Sequence, residues 1–214
     1  MTLAADPLGL AAWHEAWLSA GARALDPGLH DALIASYQEP QRQYHTLQHL
    51  REALALLPRW AAAAMNPPRV ALALWFHDAV YDPQARGHVN ERRSADWVRS
   101  AAWAAGTSAE TADALQTLVM ATCHDAEPIG PDAQLLVDID LAILGADAAR
   151  FDEYERQVRA EYAHVPDDAF RDGRRRILQQ FLDRPVIYRT PAAQRALERR
   201  ARANLARSIA ALSD

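Results

Sequence analysis

Apolar side chains recur at spacings of three and four along most of the chain. The sets are Leu10, Trp13 and Trp17; Leu29, Leu33, Ile34 and Tyr37; Leu47, Leu50, Leu54 and Leu57; Val70, Leu74 and Phe76; Leu115, Leu118 and Val119; and Leu136, Ile139 and Ile143. Each marks one buried stripe of an amphipathic helix. The 12 prolines fall between these sets at positions that predict helix boundaries: Pro7, Pro27, Pro40, Pro58, Pro67, Pro68, Pro83, Pro128, Pro131, Pro166, Pro185 and Pro191. Gly106, followed by Thr107, Ser108 and Glu110, predicts a helix end and then a capping box opening the next helix.

Alanine, leucine and arginine are strong helix formers, and β-branched residues are too sparse to populate a sheet. The expected fold is therefore all-α, a bundle of about nine or ten helices joined by short connections. At 214 residues, without repeats, low-complexity tracts or a shift in composition, the chain reads as one domain over 1–214. The alanine- and arginine-rich stretch 191–214 is expected to form a peripheral C-terminal helix, with partner binding as the alternative.

The formal net charge is −5, and no basic run marks a polyanion-binding arm. This argues against nucleic acid as a partner. All 23 basic residues counted as Lys plus Arg are arginine. Schiff-base lysines, phosphate-cradling lysines and catalytic lysine bases are thus excluded, because guanidinium keeps its proton across the working pH range. A single cysteine, Cys123, excludes an intrachain disulfide and a zinc site built from several cysteines, and suits a reducing compartment. The apolar runs are broken well short of a membrane span, and the N-terminus lacks the basic region of a secretory signal. The expected location is the cytoplasm, away from any membrane.

Three segments carry the candidate chemistry. His45 and His49 are four apart, so on one helix they would share a face. His77-Asp78 ends a continuous apolar run, where an ionisable pair is costly to bury without compensation, and a divalent cation supplies it. The same dipeptide occurs as His30-Asp31 and His124-Asp125, but His30-Asp31 lies in the first turn of a predicted helix, where the helix dipole accounts for the acid. In the apolar stretch Leu135 to Gly145, Asp138 and Asp140 stand about 200° apart around a helix axis. One of them is expected to be a ligand and the other a satellite. Together these segments form a set of nitrogen and oxygen ligands on separate helices, a metal site with positions left open for water and substrate.

The ordered set His, His-Asp, Asp resembles the HD-domain superfamily of metal-dependent phosphohydrolases, which are all-α. The fuller motifs resemble a bacterial family of HD phosphohydrolases of unassigned substrate. They are Tyr44-His45-Thr46-Leu47-Gln48-His49, Phe76-His77-Asp78, Asn90-Glu91-Arg92-Arg93-Ser94-Ala95, Ala121-Thr122-Cys123-His124 and Asp138-Ile139-Asp140-Leu141, and the likeness continues from Tyr154 to Arg189 through Tyr162, Arg174 and Ile187-Tyr188. By this resemblance His49, His77, Asp78 and Asp140 are the metal ligands, with Asp140 preferred to Asp138 because it stands directly before Leu141. His45 is implied as the group that protonates the leaving oxygen, Glu91 as the group that orients the water, and His124 as a ligand of a second metal or of a phosphate oxygen. Thr46 stands where cyclic-nucleotide phosphodiesterases carry asparagine, so cyclic-nucleotide hydrolysis is not implied.

The activity expected from the resemblance is hydrolysis of a small, nucleotide-like phosphate ester or anhydride, with a divalent cofactor from among Mn, Mg, Co, Ni, Zn and Fe. Without lysine, charge on the phosphate falls to arginine, and Arg42, Arg92, Arg93, Arg156, Arg174 and Arg175 are the candidates. Two other functions compete: a non-catalytic module that binds metal or nucleotide, and an HD-type di-iron oxygenase. The oxygenase needs further central histidines, and only His88 and His124 are available. A homodimer is left open.

Overall fold

The computed structural model describes residues 6–213, whose regular elements are all helices, with no strand among them. Ten α-helices follow one another: α1 (Leu10–Ser19), α2 (Leu29–Ser36), α3 (Leu47–Trp60), α4 (Pro67–Phe76), α5 (Val89–Ala104), α6 (Ala109–Met120), α7 (Pro131–Asp140), α8 (Ala148–Glu161), α9 (Asp167–Leu182) and α10 (Pro191–Ala211). Short 3-10 turns at Ala61–Ala63, Ala121–Cys123 and Leu141–Gly145 prolong α3, α6 and α7. None of the described helices is long and apolar enough to cross a membrane. The chain divides into two compact units, Met1–Val137 and Asp138–Asp214.

The first unit is organised around α4. Every residue from Leu72 to Phe76 is buried, together with Val70, because α4 packs against α1, α3, α5 and α6. The helix starts where Asn66 Oδ1 accepts from the Arg69 amide at 3.1 Å, with two prolines in the first turn whose missing N–H groups the helix does not need. Trp13 and Trp17 of α1 meet Trp75 and Phe76 edge-on, with Trp13 and Trp75 centroids 5.0 Å apart. Such aromatic contacts contribute about 0.5–1.5 kcal/mol each beyond the area they bury. Leu10 departs from the expected stripe: at the first position of α1 it is exposed.

Two boundaries differ from the sequence pattern. Pro58 lies inside α3, in its last turn, and the α-helix gives way to a 3-10 turn two residues later. The cap of α6 is Ser108, whose hydroxyl accepts from the Thr111 amide at 3.1 Å. The third helical position is thus Thr111, and Glu110 pairs instead with Arg69 at 3.1 Å. Gly106 has φ +73° and ends α5 as expected, at a backbone conformation that favours glycine.

In the second unit α10 packs against α9 and the 3-10 turn Leu141–Gly145. Its face of Ala193, Leu197, Ala201, Asn204 and Leu205 is buried, while its arginines face outward or tie down neighbouring carbonyls. Gly145 permits the close approach, since a Cβ there would stand 2.6 Å from Leu197 Cβ. Asn204 Nδ2 donates to the carbonyls of Leu144 and Ala146 at 2.9 and 3.0 Å and closes the turn.

Candidate metal centre

The centre of the first unit is built from the start of α3 and the end of α4. Thr46 caps α3, its hydroxyl accepting from the Gln48 amide at 3.2 Å, which sets His49 in the first turn. His77 caps the C-terminus of α4. Its Nδ1 lies 2.8 Å from the carbonyl oxygen of Leu74. A carbonyl only accepts, so Nδ1 carries the proton and Nε2 presents a lone pair. His49 Nδ1 lies 3.0 Å from the Tyr44 hydroxyl, which leaves its Nε2 pointing to the same place.

The two Nε2 atoms face each other at 2.9 Å. Asp78 Oδ2 completes the triangle, 3.0 Å from His77 Nε2 and 3.5 Å from His49 Nε2. Lone pairs so opposed repel unless a proton or a cation lies between them. Ligands bonded to one ion at ~2.0–2.2 Å stand roughly 3–3.5 Å from each other, the spacing found here. The imidazoles are buried and the carboxylate nearly so. Burial by itself would raise the Asp78 carboxyl, but with protons on the imidazoles in place of an ion, the charges of His77, then His45 and His49, outweigh it and hold the carboxyl well below the usual carboxylate range. Among the described residues of this unit, His49, His77 and Asp78 are thus brought together as a donor set that could hold a metal ion.

Two buried side chains beneath the centre fix its backbone. Arg42 donates to the carbonyls of Asp78 (2.7 Å), Ala79 (3.0 Å) and His45 (3.0 Å), and its guanidinium lies over the rings of Tyr37 and Tyr81. Tyr37 donates to the Trp75 carbonyl at 3.2 Å and accepts from the Asp78 amide at 3.3 Å, and burial pushes its phenol far up. The segment after Asp78 is held from α5. Ser94 Oγ accepts from the Val80 amide at 3.0 Å, and Asn90 brackets Asp82 with bonds of 3.1 and 2.9 Å. The sequence marked Asn90, Ser94 and Tyr44 as motif members but gave no reason for them; backbone and imidazole positioning is that reason. Tyr37 carried no signal beyond its place in an apolar stripe.

His45 is not on the face of a helix with His49. It lies in the turn before the Thr46 cap, stacked on Tyr81 at 4.1 Å between centroids and 6.2 Å from the His49 ring. It remains close enough to contribute to the field on Asp78. His30 is a core residue with Nε2 on the Leu8 carbonyl at 3.0 Å, and Asp31 sits in the first turn of α2 as expected. Glu91, in the first turn of α5, joins His88 and Cys123, a group that shares no member with the His49, His77 and Asp78 set. His124 follows Cys123 in a left-handed backbone conformation, φ +59°. Burial and then the charges of Glu91 and Asp125 push the Cys123 thiol up to about 11, against an opposing effect of Arg92.

The remaining sequence candidates fall in the second unit. Asp138 is fully buried, and its two oxygens accept from the Arg189 and Thr190 amides at 2.7 and 2.6 Å, at the start of α10. It thereby joins two parts of the second unit. Asp140 closes α7 and is half-buried, and its charge adds to the burial that pushes the Tyr154 phenol up. Arg174 is buried, lies over the Tyr154 ring at 4.9 Å and pairs with Glu155 through both Nε and Nη2.

No family model, no curated protein and no solved structure matches this chain.

Proposed function

We propose that this protein is a divalent-metal-dependent phosphohydrolase of the HD type, acting on a small, nucleotide-like phosphate ester or anhydride. The observation that carries the reading is the convergence of His49 Nε2, His77 Nε2 and Asp78 Oδ2 within 2.9–3.5 Å of one another. The sequence pattern supplies Asp140 as the fourth ligand. A bound divalent ion would contribute Lewis-acid activation of water and of a phosphoryl oxygen.

The chain's own groups divide the remaining work. Leu74 O and Tyr44 Oη hold the two imidazoles in orientation, and Arg42 holds the backbone that carries Asp78. His45 is the proton donor to the leaving oxygen, an imidazole being able to hold or release a proton near neutral pH. With no lysine in the chain, phosphate charge falls to arginine, histidine or the ion itself. Arg42 is engaged with backbone carbonyls, whereas Arg92 and Arg93 are exposed on α5 and available for that task.

The test is release of inorganic phosphate from a panel of nucleotides by protein loaded in turn with Mn²⁺, Mg²⁺, Co²⁺ and Ni²⁺. Release that requires metal and is abolished in His77→Ala and Asp78→Ala supports the reading. Metal-loaded protein that hydrolyses none of the panel contradicts it and favours a module that only binds metal or nucleotide.

A further inference from the structure

We propose a second transition-metal site in the first unit, formed by His88 Nδ1, Glu91 and the Cys123 thiolate, with Asp125 orienting the histidine. A nitrogen, an oxygen and a sulfur from these three residues lie within 4.8 Å of one another. They come from two segments far apart in sequence, the N-terminus of α5 and the 3-10 turn after α6. Left-handed, non-glycine backbone at His88 (φ +57°) and His124 (φ +59°) turns the chain at both segments.

The two nitrogens of His88 have different surroundings. Nε2 is 2.7 Å from Asp125 Oδ2, whereas Nδ1 faces Glu91 Oε2 at 4.0 Å. A carboxylate accepts the Nε2 proton, so Nδ1, on the side of Glu91, is the nitrogen left to ligate an ion. A carboxylate bonded to the far nitrogen of a ligating histidine is the arrangement that fixes tautomer and ring orientation in zinc sites. The 4.0 Å gap is too long for a hydrogen bond and wide enough for an ion bonded to both groups. Two carboxylates, Glu91 and Asp125, act on the thiol against one guanidinium, that of Arg92, an excess of negative charge that attracts a dication.

Ligand chemistry narrows the class of ion. One thiolate, one imidazole and one carboxylate suit a borderline-soft dication such as Zn²⁺, Co²⁺ or Fe²⁺ rather than Mg²⁺ or Ca²⁺. Three protein ligands leave a coordination position for water or for an incoming group. The partly exposed side chains of His88 and Glu91 leave that position open to solvent.

The full chain, stripped with a chelator, is titrated with Co²⁺ and followed in the near-ultraviolet, where a thiolate bonded to cobalt gives a charge-transfer band. Cys123 is the only cysteine, and the His49, His77 and Asp78 set has no sulfur, so the band reports the second site alone. Wild type is expected to show the band, and Cys123→Ser to lose it along with one equivalent of metal. His77→Ala is expected to keep the band, which separates the fate of this site from that of the first. Asp125→Asn, a change at an exposed side chain, is expected to weaken the band-forming affinity about 10–100-fold. Zinc is expected to slow alkylation of Cys123. Cobalt-saturated wild type without the band, or alkylation at the same rate with and without zinc, overturns the proposal.

Discussion

Arg42 donates to the carbonyl oxygen of Asp78 at 2.7 Å, joining a buried guanidinium to the backbone of a candidate metal ligand. Arg42 also bonds the carbonyls of Ala79 and His45, so removing it leaves several buried acceptors without a donor. Arg42→Ala is expected to lower stability by at least about 2–3 kcal/mol, the cost of leaving such acceptors unsatisfied. It should also weaken metal binding. Arg42→Lys should rescue little, because an ammonium lacks the planar fork that reaches separate carbonyls. Thermal melts and metal titrations of both variants check this.

Tyr44→Phe isolates the support given to His49. The hydroxyl lies 3.0 Å from His49 Nδ1, and its loss removes the bond that fixes the ring. Metal affinity is expected to fall about 10–100-fold, as for other groups that orient a ligating histidine. Stability is expected to fall by only about 1 kcal/mol. Calorimetric titration and a denaturant melt separate the two effects.

Asp138 and Asp140 should behave oppositely. Both oxygens of Asp138 accept backbone amides at the start of α10, so Asp138→Ala is expected to cost about 2–6 kcal/mol, roughly 1–3 for each amide left bare. Asp140→Asn should leave the melting temperature of the metal-free chain nearly unchanged and abolish metal-dependent activity. Equal behaviour of the two variants would contradict the choice of ligand.

The metal-free chain should carry an acid-sensitive contribution at Asp78. The folded carboxyl is held below its unfolded value of ~3.9 by the neighbouring imidazoles, so the unfolded state binds more protons as the pH falls. The contribution is therefore present above the unfolded value and is lost as the pH drops toward the folded one. Chelated wild type should lose more of its melting temperature than Asp78→Asn between about pH 5 and about pH 3. A parallel loss in the two proteins would contradict this.

The all-α architecture was readable because periodicity, helix-forming composition and caps agree along the chain, as at Gly106 and the prolines opening α4 and α10. His77-Asp78 stood out because an ionisable pair ends an otherwise buried helix, and that is its position in α4. His45 was harder to read, since a spacing of four implies a shared face only where the helix has already begun, and here the Thr46 cap intervenes. Arg42 looked like any other arginine; its role depends on carbonyls 36 and 37 residues away. In the group of His88, Glu91 and Cys123 only the first two share a local spacing, three residues apart, and Cys123 joins them from a second chain segment.

The central claim is that His49, His77 and Asp78 hold a divalent ion. Its most direct test is the Co²⁺ stoichiometry of the Cys123→Ser chain, in which the second site has lost its sulfur ligand, compared with the same chain also carrying His77→Ala. One equivalent is expected in the first protein and none in the second. Equal binding by both, or no binding by the first, would contradict the account.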